Sequence, residues 1–160
     1  MTNAVFKRDI QGWLSGSKEK DVCLFEESDP AFTLELSTTS SADFVMIRSY
    51  SQSTSECLLV PQASVADKAG LDVNKPVLVV PRKSGVSYWC DHKGDVLFIS
   101  TNSGGAANYR VEASELEINT GGDVPHVDLS KLHVVLPHRN YVQVESIAIV
   151  NDVLVVTERR

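Results

Sequence analysis

Four histidines, three cysteines and scattered serines and aspartates are the residues of this 160-residue chain whose types could do chemistry. Ser, His and Asp together can form an acyl-transfer triad, which geometry defines and chain order does not. Its serine usually sits in a Gly-x-Ser-x-Gly turn between a strand and a helix. That pentapeptide is absent: the nearest approach, Thr101-Asn102-Ser103-Gly104-Gly105, has Thr101 where the first glycine belongs and reads as a turn. His126, His133 and His138 gather loosely with Asp123 and Asp128. Zinc sites need tight, recurring ligand spacings, so these are expected to be solvated loop residues. A nucleophilic Cys90 would need a partner that lowers its pKa, and His92 is two residues away. A turn expected over Asp91-His92-Lys93-Gly94 would separate the two, leaving Cys90 a buried thiol. Gly104-Gly105 and Gly121-Gly122 lack the following Lys-Ser/Thr of a phosphate loop and read as turn residues that tolerate positive φ. Trp13, Trp89 and Tyr88 are expected to pack, since aromatics carry much of the burial in sheets. Glu158-Arg159-Arg160 is expected to be a strand end passing into a solvated loop. No catalytic, cofactor-binding or metal-binding residue is assigned.

The elements that would position these residues are short and repeat. Val79-Val80-Pro81-Arg82 is echoed by Val135-Leu136-Pro137-His138-Arg139, and Gly94-Asp95-Val96-Leu97-Phe98-Ile99 by Asn151-Asp152-Val153-Leu154-Val155-Val156. Pro81 and Pro137 lie 56 positions apart, Asp95 and Asp152 57, and a weaker copy at Asp43 precedes Asp95 by 52. A period near fifty built of short apolar runs and turns predicts propeller blades, small twisted sheets that must stack to bury their faces. The first blade is read as strands near Phe32–Ser37, Phe44–Ile47, Glu56–Val60 and Val77–Val80, after a possible strand over residues 4–10, a loop over Gly12–Lys20 and a strand over Asp21–Glu27. Ala63–Asn74 reads as a polar loop with room for one helical turn. The second blade is read from Val86, with strands at Val96–Ser100, Tyr109–Glu112 and Leu132–Leu136 and a long polar connection over 113–131. Tyr141–Glu145, Ile147–Val150 and Val153–Thr157 open a third. The fold class is therefore all-β: a partial β-propeller of about two complete four-stranded antiparallel blades plus parts of their neighbours.

The composition is that of a globular domain, 42% hydrophobic and 22% charged. A net charge of −6, without basic runs, argues against a nucleic-acid or anionic-membrane surface. No apolar run approaches a membrane span, and the N-terminus lacks a signal-peptide core. Three scattered cysteines fit a reducing compartment, so a cytoplasmic location is expected.

The motifs, in their order and spacing, resemble the propeller domain of the prolyl oligopeptidase family of serine peptidases, on its oligopeptidase B (protease II) branch. They are Phe25-Glu26-Glu27-Ser28-Asp29-Pro30-Ala31-Phe32, Ser51-Gln52-Ser53-Thr54-Ser55-Glu56 and the run from Val86 to Asp95. Ile99-Ser100-Thr101-Asn102, Leu136-Pro137-His138-Arg139 and Val155-Val156-Thr157-Glu158-Arg159-Arg160 complete the set. The resemblance implies a seven-bladed propeller over an α/β-hydrolase domain that carries a Ser-Asp-His triad. It implies short peptides as substrates, cleaved after Arg or Lys, and no cofactor. Nothing in these 160 residues corresponds to the hydrolase, so the chain by itself is expected to be inactive. A closed propeller has roughly four to eight blades, so these residues are expected to be part of something larger, a truncated product or an oligomerising unit. The alternative reading is a stand-alone interaction module that completes its ring by self-association.

Overall fold

A computed structural model describes residues 2–7, 14–16 and 21–160. Trp13, most of the loop expected over 12–20, and residues 8–10 of the expected first strand lie outside the described residues. Fourteen strands are described, in four sheets. A two-stranded unit pairs β1 (Asn3–Lys7) with β2 (Val22–Glu27). The first full blade is the meander β3 (Thr33–Thr38), β4 (Phe44–Tyr50), β5 (Ser55–Pro61) and β6 (Val77–Val80). The second is β7 (Tyr88–Lys93), β8 (Val96–Thr101), β9 (Arg110–Glu115) and β12 (His133–Leu136). A final two-stranded unit joins β13 (Gln143–Val150) to β14 (Val153–Arg159).

The fifty-residue repeat maps onto equivalent places. Asp43 lies in the β3–β4 loop, Asp95 in the β7–β8 turn and Asp152 in the β13–β14 turn. Both later turns have two residues, and the first, Gly94 or Asn151, takes a positive φ of 60° or 55°. Tight hairpins demand that conformation, which glycine adopts without strain and asparagine tolerates. Pro81 and Pro137 each follow the fourth strand of a blade.

Period-two alternation places side chains on two faces, and both faces of the central strands are buried. On β4, Val45 and Ile47 face the β1–β2 unit with Val5, Leu24 and Phe25, while Phe44 and Met46 face the second blade. On β5, Leu58 and Val60 take the first side and Cys57 and Leu59 the second. Leu97 and Ile99 on β8 meet that second cluster, and Phe98 turns the other way, to Val144, Ile147, Leu154 and Val156 of the last unit. Three apolar layers thus lie between four stacked sheets, the arrangement of propeller blades.

Four details differ from the sequence reading. The connection over 113–131 is not merely polar: β9 runs to Glu115, and a small hairpin, β10 (Ile118–Asn119) and β11 (His126–Val127), reaches back to the first blade. There β11 pairs in parallel with β6, Leu78 N–H donates to Pro125 O (2.8 Å), and Val127 enters the core. This covers the outer edge of the first blade, an edge that would otherwise offer unpaired backbone groups. Ala63–Ala69 forms a helix, α1, closed by Gly70 at φ 66°. β7 continues through Asp91 and His92 to Lys93, so the expected turn shrinks to Gly94-Asp95. β14 likewise continues to Arg159.

Candidate functional site

The extension of β7 changes the environment of Cys90 and His92. Two residues apart on one strand, they share a face, and both are buried, at 1% and 3% exposure. The expectation that a turn separates them is therefore incorrect. Cys90 is nonetheless unsuited to attack a substrate. Its hydrogen bond with the Cys57 thiol, together with burial, pushes its pKa well above the ordinary thiol range. The thiolate is the nucleophilic form, so Cys90 stays inert.

His92 brings a serine and an aspartate together. Ser41 Oγ lies 2.9 Å from His92 Nδ1, and Asp43 Oδ2 lies 3.9 Å from the same nitrogen. A relay triad needs the serine on one ring nitrogen and the carboxylate on the other. Here both crowd Nδ1, and Ser41 Oγ also accepts Asp43 N–H (3.1 Å) and contacts Thr39 Oγ1 (3.1 Å). The set is a staple. It ties the β3–β4 loop to β7 of the next blade, helped by Ser41 N–H to His92 O (2.9 Å) and by Ser40 donating N–H (2.8 Å) and O–H (2.5 Å) to the Asp91 carboxylate. The Phe44 ring meets His92 edge-on, with centroids 5.1 Å apart. Burial lowers the pKa of His92 below its ordinary 6.5, against the upward pull of Asp43, Asp91 and Asp95.

A second polar cluster locks the β1–β2 unit to the first blade. Arg82, just past β6, donates to Glu27 at the end of β2, to Glu56 of β5 (2.5 Å) and to Ser49 Oγ of β4 (3.1 Å). Its guanidinium stacks 3.7 Å from the Phe32 ring centroid. Burial by itself would raise the pKa of Glu27. Hydrogen bonds from Arg82, Ser49 and Asp29 N–H, with the charge of Arg82, outweigh it and lower the value to about 2. Sequence reading did not find this cluster: nothing local marks Glu27, rather than Glu26, as the buried member of the pair.

The remaining candidates sit apart. Ser103 occupies a single 3₁₀ turn with Gly104 and Gly105, both at positive φ, and accepts from Arg110 Nη2 (3.4 Å). It has no strand-to-helix setting. His126 and His133 are exposed on β11 and β12, and Asp128 caps a turn by accepting Ser130 N–H (2.9 Å). No group of three His, Cys, Asp or Glu placed to hold a metal occurs among the described residues. Glu158 and Arg159 form the end of β14, where Glu158 pairs with Arg139 and the exposed Arg159 with Glu145 (3.4 Å).

A cleft of about 450 Å³ lies between the second blade and β13, lined by Arg48, Trp89, Ser100, Tyr109, Gln143 and Glu145 among others. Its size is within the range of ligand sites. Arg48 is already committed: it donates to Tyr88 O (3.1 Å) and Glu35 (3.4 Å) and lies over the Tyr50 and Trp89 rings at 4.5 and 4.8 Å. Trp89 therefore both packs and lines this space. Neither histidine nor cysteine lines it.

Stacked antiparallel meanders, each starting at a free edge strand and joined to the next through an apolar layer, define a β-propeller arc. The chain belongs to the family described as prolyl oligopeptidase, N-terminal beta-propeller domain, which matches residues 13–160. It is similar to oligopeptidase B of Trypanosoma brucei, with a TM-score of 0.76 and 26% identity over 99% of this chain and 20% of that one. Oligopeptidase B of Leishmania major superposes with a TM-score of 0.71 and 32% identity, over 90% and 18% of the two chains. Protease 2 of Moraxella lacunata is 33% identical over 66% of this chain and 14% of its own length. The human prolyl endopeptidase-like protein is 26% identical over 90% and 21%. The chain thus spans about a fifth or less of the relatives it matches.

Proposed function

We propose that this chain serves as part of the substrate gate of an oligopeptidase B-like serine peptidase that cleaves short peptides after Arg or Lys. The observation that carries the reading is the family match over residues 13–160 together with the blade-by-blade likeness to oligopeptidase B. A rigid arc of stacked sheets admits a flexible peptide and refuses a folded protein. In this reading the edge strands β3, β7 and β13 line the passage, and an α/β-hydrolase domain supplies the serine, histidine and aspartate. A reducing, cytoplasmic setting belongs to the same proposal, supported by Cys57 and Cys90 lying together in the core as free thiols.

Three measurements test it. The 160-residue chain, incubated with a dibasic fluorogenic peptide and a serine-directed probe, is expected to neither hydrolyse nor label; labelling of any serine would overturn the assignment. An oligopeptidase B whose matching blades are replaced by this chain is expected to cut the short peptide but leave the same site in a folded protein intact. A hybrid that degrades the folded protein removes the gating role. Hydrolysis of a peptide panel by the peptidase that carries this propeller checks the Arg/Lys preference.

A further inference from the structure

The cleft beside β13 is lined by hydrogen-bond donors that have nothing to bond. Three successive sheets build it: Arg48 reaches it from β4, Trp89 and Ser100 from the second blade and Gln143 from β13. Ser100 stands directly opposite Trp89 in the β7–β8 pairing, so the two share a face. Ser100 is 4% exposed, yet its hydroxyl has no hydrogen-bond partner among the described residues. The fully enclosed side-chain atoms without partners are Ser114 Oγ, His138 Nε2 and Arg139 Nε, so Ser100 Oγ opens onto the cleft that the residue lines. An unpaired hydroxyl in such a place is costly, and a ligand that bonds to it offsets the cost.

Three further groups on this wall donate and cannot accept. Arg48 spends Nε on Tyr88 O and Nη1 on Glu35, which leaves Nη2 without an acceptor. The Gln143 amide accepts from Arg159 through Oε1, which leaves Nε2 free to donate. The Trp89 indole N–H has no acceptor among the described residues. The Glu145 carboxylate, by contrast, already faces Arg159. Two departures from regular backbone meet at the same cleft. Tyr109 has a φ of 66°, which a bulky side chain rarely adopts, and its turn is tied to β13 by Val144 N–H donating to Asn108 O (3.0 Å). A bulge between Val144 and Ser146 makes Glu145 the extra residue of β13.

We propose that this cleft binds a peptide carboxylate. Arg48 Nη2 supplies the charge, Ser100 Oγ, Trp89 Nε1 and Gln143 Nε2 are the further donors, and the Trp89 and Tyr109 rings meet the apolar atoms of the peptide. A carboxylate accepts several hydrogen bonds at once, and those from a charged donor are the strong ones. A cation would meet the Arg48 charge and a wall of N–H groups. The carboxylate is that of a chain terminus or of an Asp or Glu side chain. The inference rests on the groups of the cleft and not on the gating reading, so its failure leaves that reading untouched.

Trp13→Phe leaves Trp89 as the single tryptophan, so fluorescence of the 160-residue chain reports on the cleft. The probes are acetyl-trialanine as its free acid, the same peptide as its carboxamide, and acetyl-Ala-Asp-Ala carboxamide. A saturable change with a Kd of about 1 mM or tighter is expected for a carboxylate peptide, and binding about tenfold weaker or worse for the trialanine carboxamide. Binding of the free acid alone assigns the carboxylate to a chain terminus, and of the Asp peptide alone to a side chain. Ser100→Ala removes a hydroxyl that bonds nothing in the protein, so it should weaken carboxylate binding about tenfold while the urea midpoint holds. Arg48→Gln should abolish the preference for acid over amide. It also breaks the bonds to Tyr88 O and Glu35, so Ser100→Ala is the deciding variant. No saturation by either carboxylate peptide, equal affinity for acid and amide, or undiminished binding by Ser100→Ala would overturn the proposal.

Discussion

Two buried ionisable residues set the response to acid, and both signs follow from their pKa directions. His92 has its folded pKa depressed, so the unfolded chain binds the extra proton first and stability falls as pH drops below about 6.5. Glu27 is depressed from 4.5 to about 2, so its contribution is complete above 4.5 and disappears between 4.5 and 2. Melting temperature followed from pH 8 to 3 should therefore fall in two stages. His92→Gln is expected to flatten the first while leaving the second, and an unchanged first stage would reject the buried-neutral account. Glu27→Gln should cost about 2–3 kcal/mol in urea unfolding at pH 7, less than a lone buried pair, because Arg82 keeps Glu56. The thiols give a third residue-scale test. Cys23 is exposed and Cys57 and Cys90 are buried, so a thiol reagent should titrate one group in the native protein and three after unfolding.

At the scale of the elements, stability resides in layers between sheets more than in any one sheet. Leu59 is fully buried in the layer between the two complete blades, so Leu59→Ala should cost about 2–5 kcal/mol. Tyr141→Ala, at a site 91% exposed, should stay within about 0.5 kcal/mol. Comparison of their urea midpoints at equal slope checks this. The Ser40–Asp91 and Ser41–His92 staple and the Glu27–Arg82–Glu56 cluster add direction to these layers. Apolar contacts alone would tolerate a sliding of one sheet over the next, whereas these hydrogen bonds hold one register. Strand positions were legible in the alternation of Phe32–Ser37 and the apolar run Val96–Ile99 because a strand buried on both faces leaves a local signature. The β10–β11 hairpin was not legible, because its two-residue strands pair only with each other and, through His126, with Leu78 of β6, 48 residues earlier.

For the whole molecule, the arc predicts graded protection. In the 160-residue chain, amide exchange should be slowest in β4, β5 and β8, which have a sheet on either side, and fastest in β1–β2 and β14. Uniform protection would contradict a stack of semi-independent sheets. The sequence by itself determined the repeat, the order of the strands and the likeness to the prolyl oligopeptidase propellers, because each blade is a local meander whose turns and alternation lie within fifty consecutive residues. Only the tertiary structure decided which charged residues are buried, why Cys90 and His92 share a face without forming a reactive pair, and how Ser41 and Asp43 come to crowd one nitrogen. Those facts arise where two blades meet, and contacts between residues fifty positions apart leave no mark in the spacing of either strand.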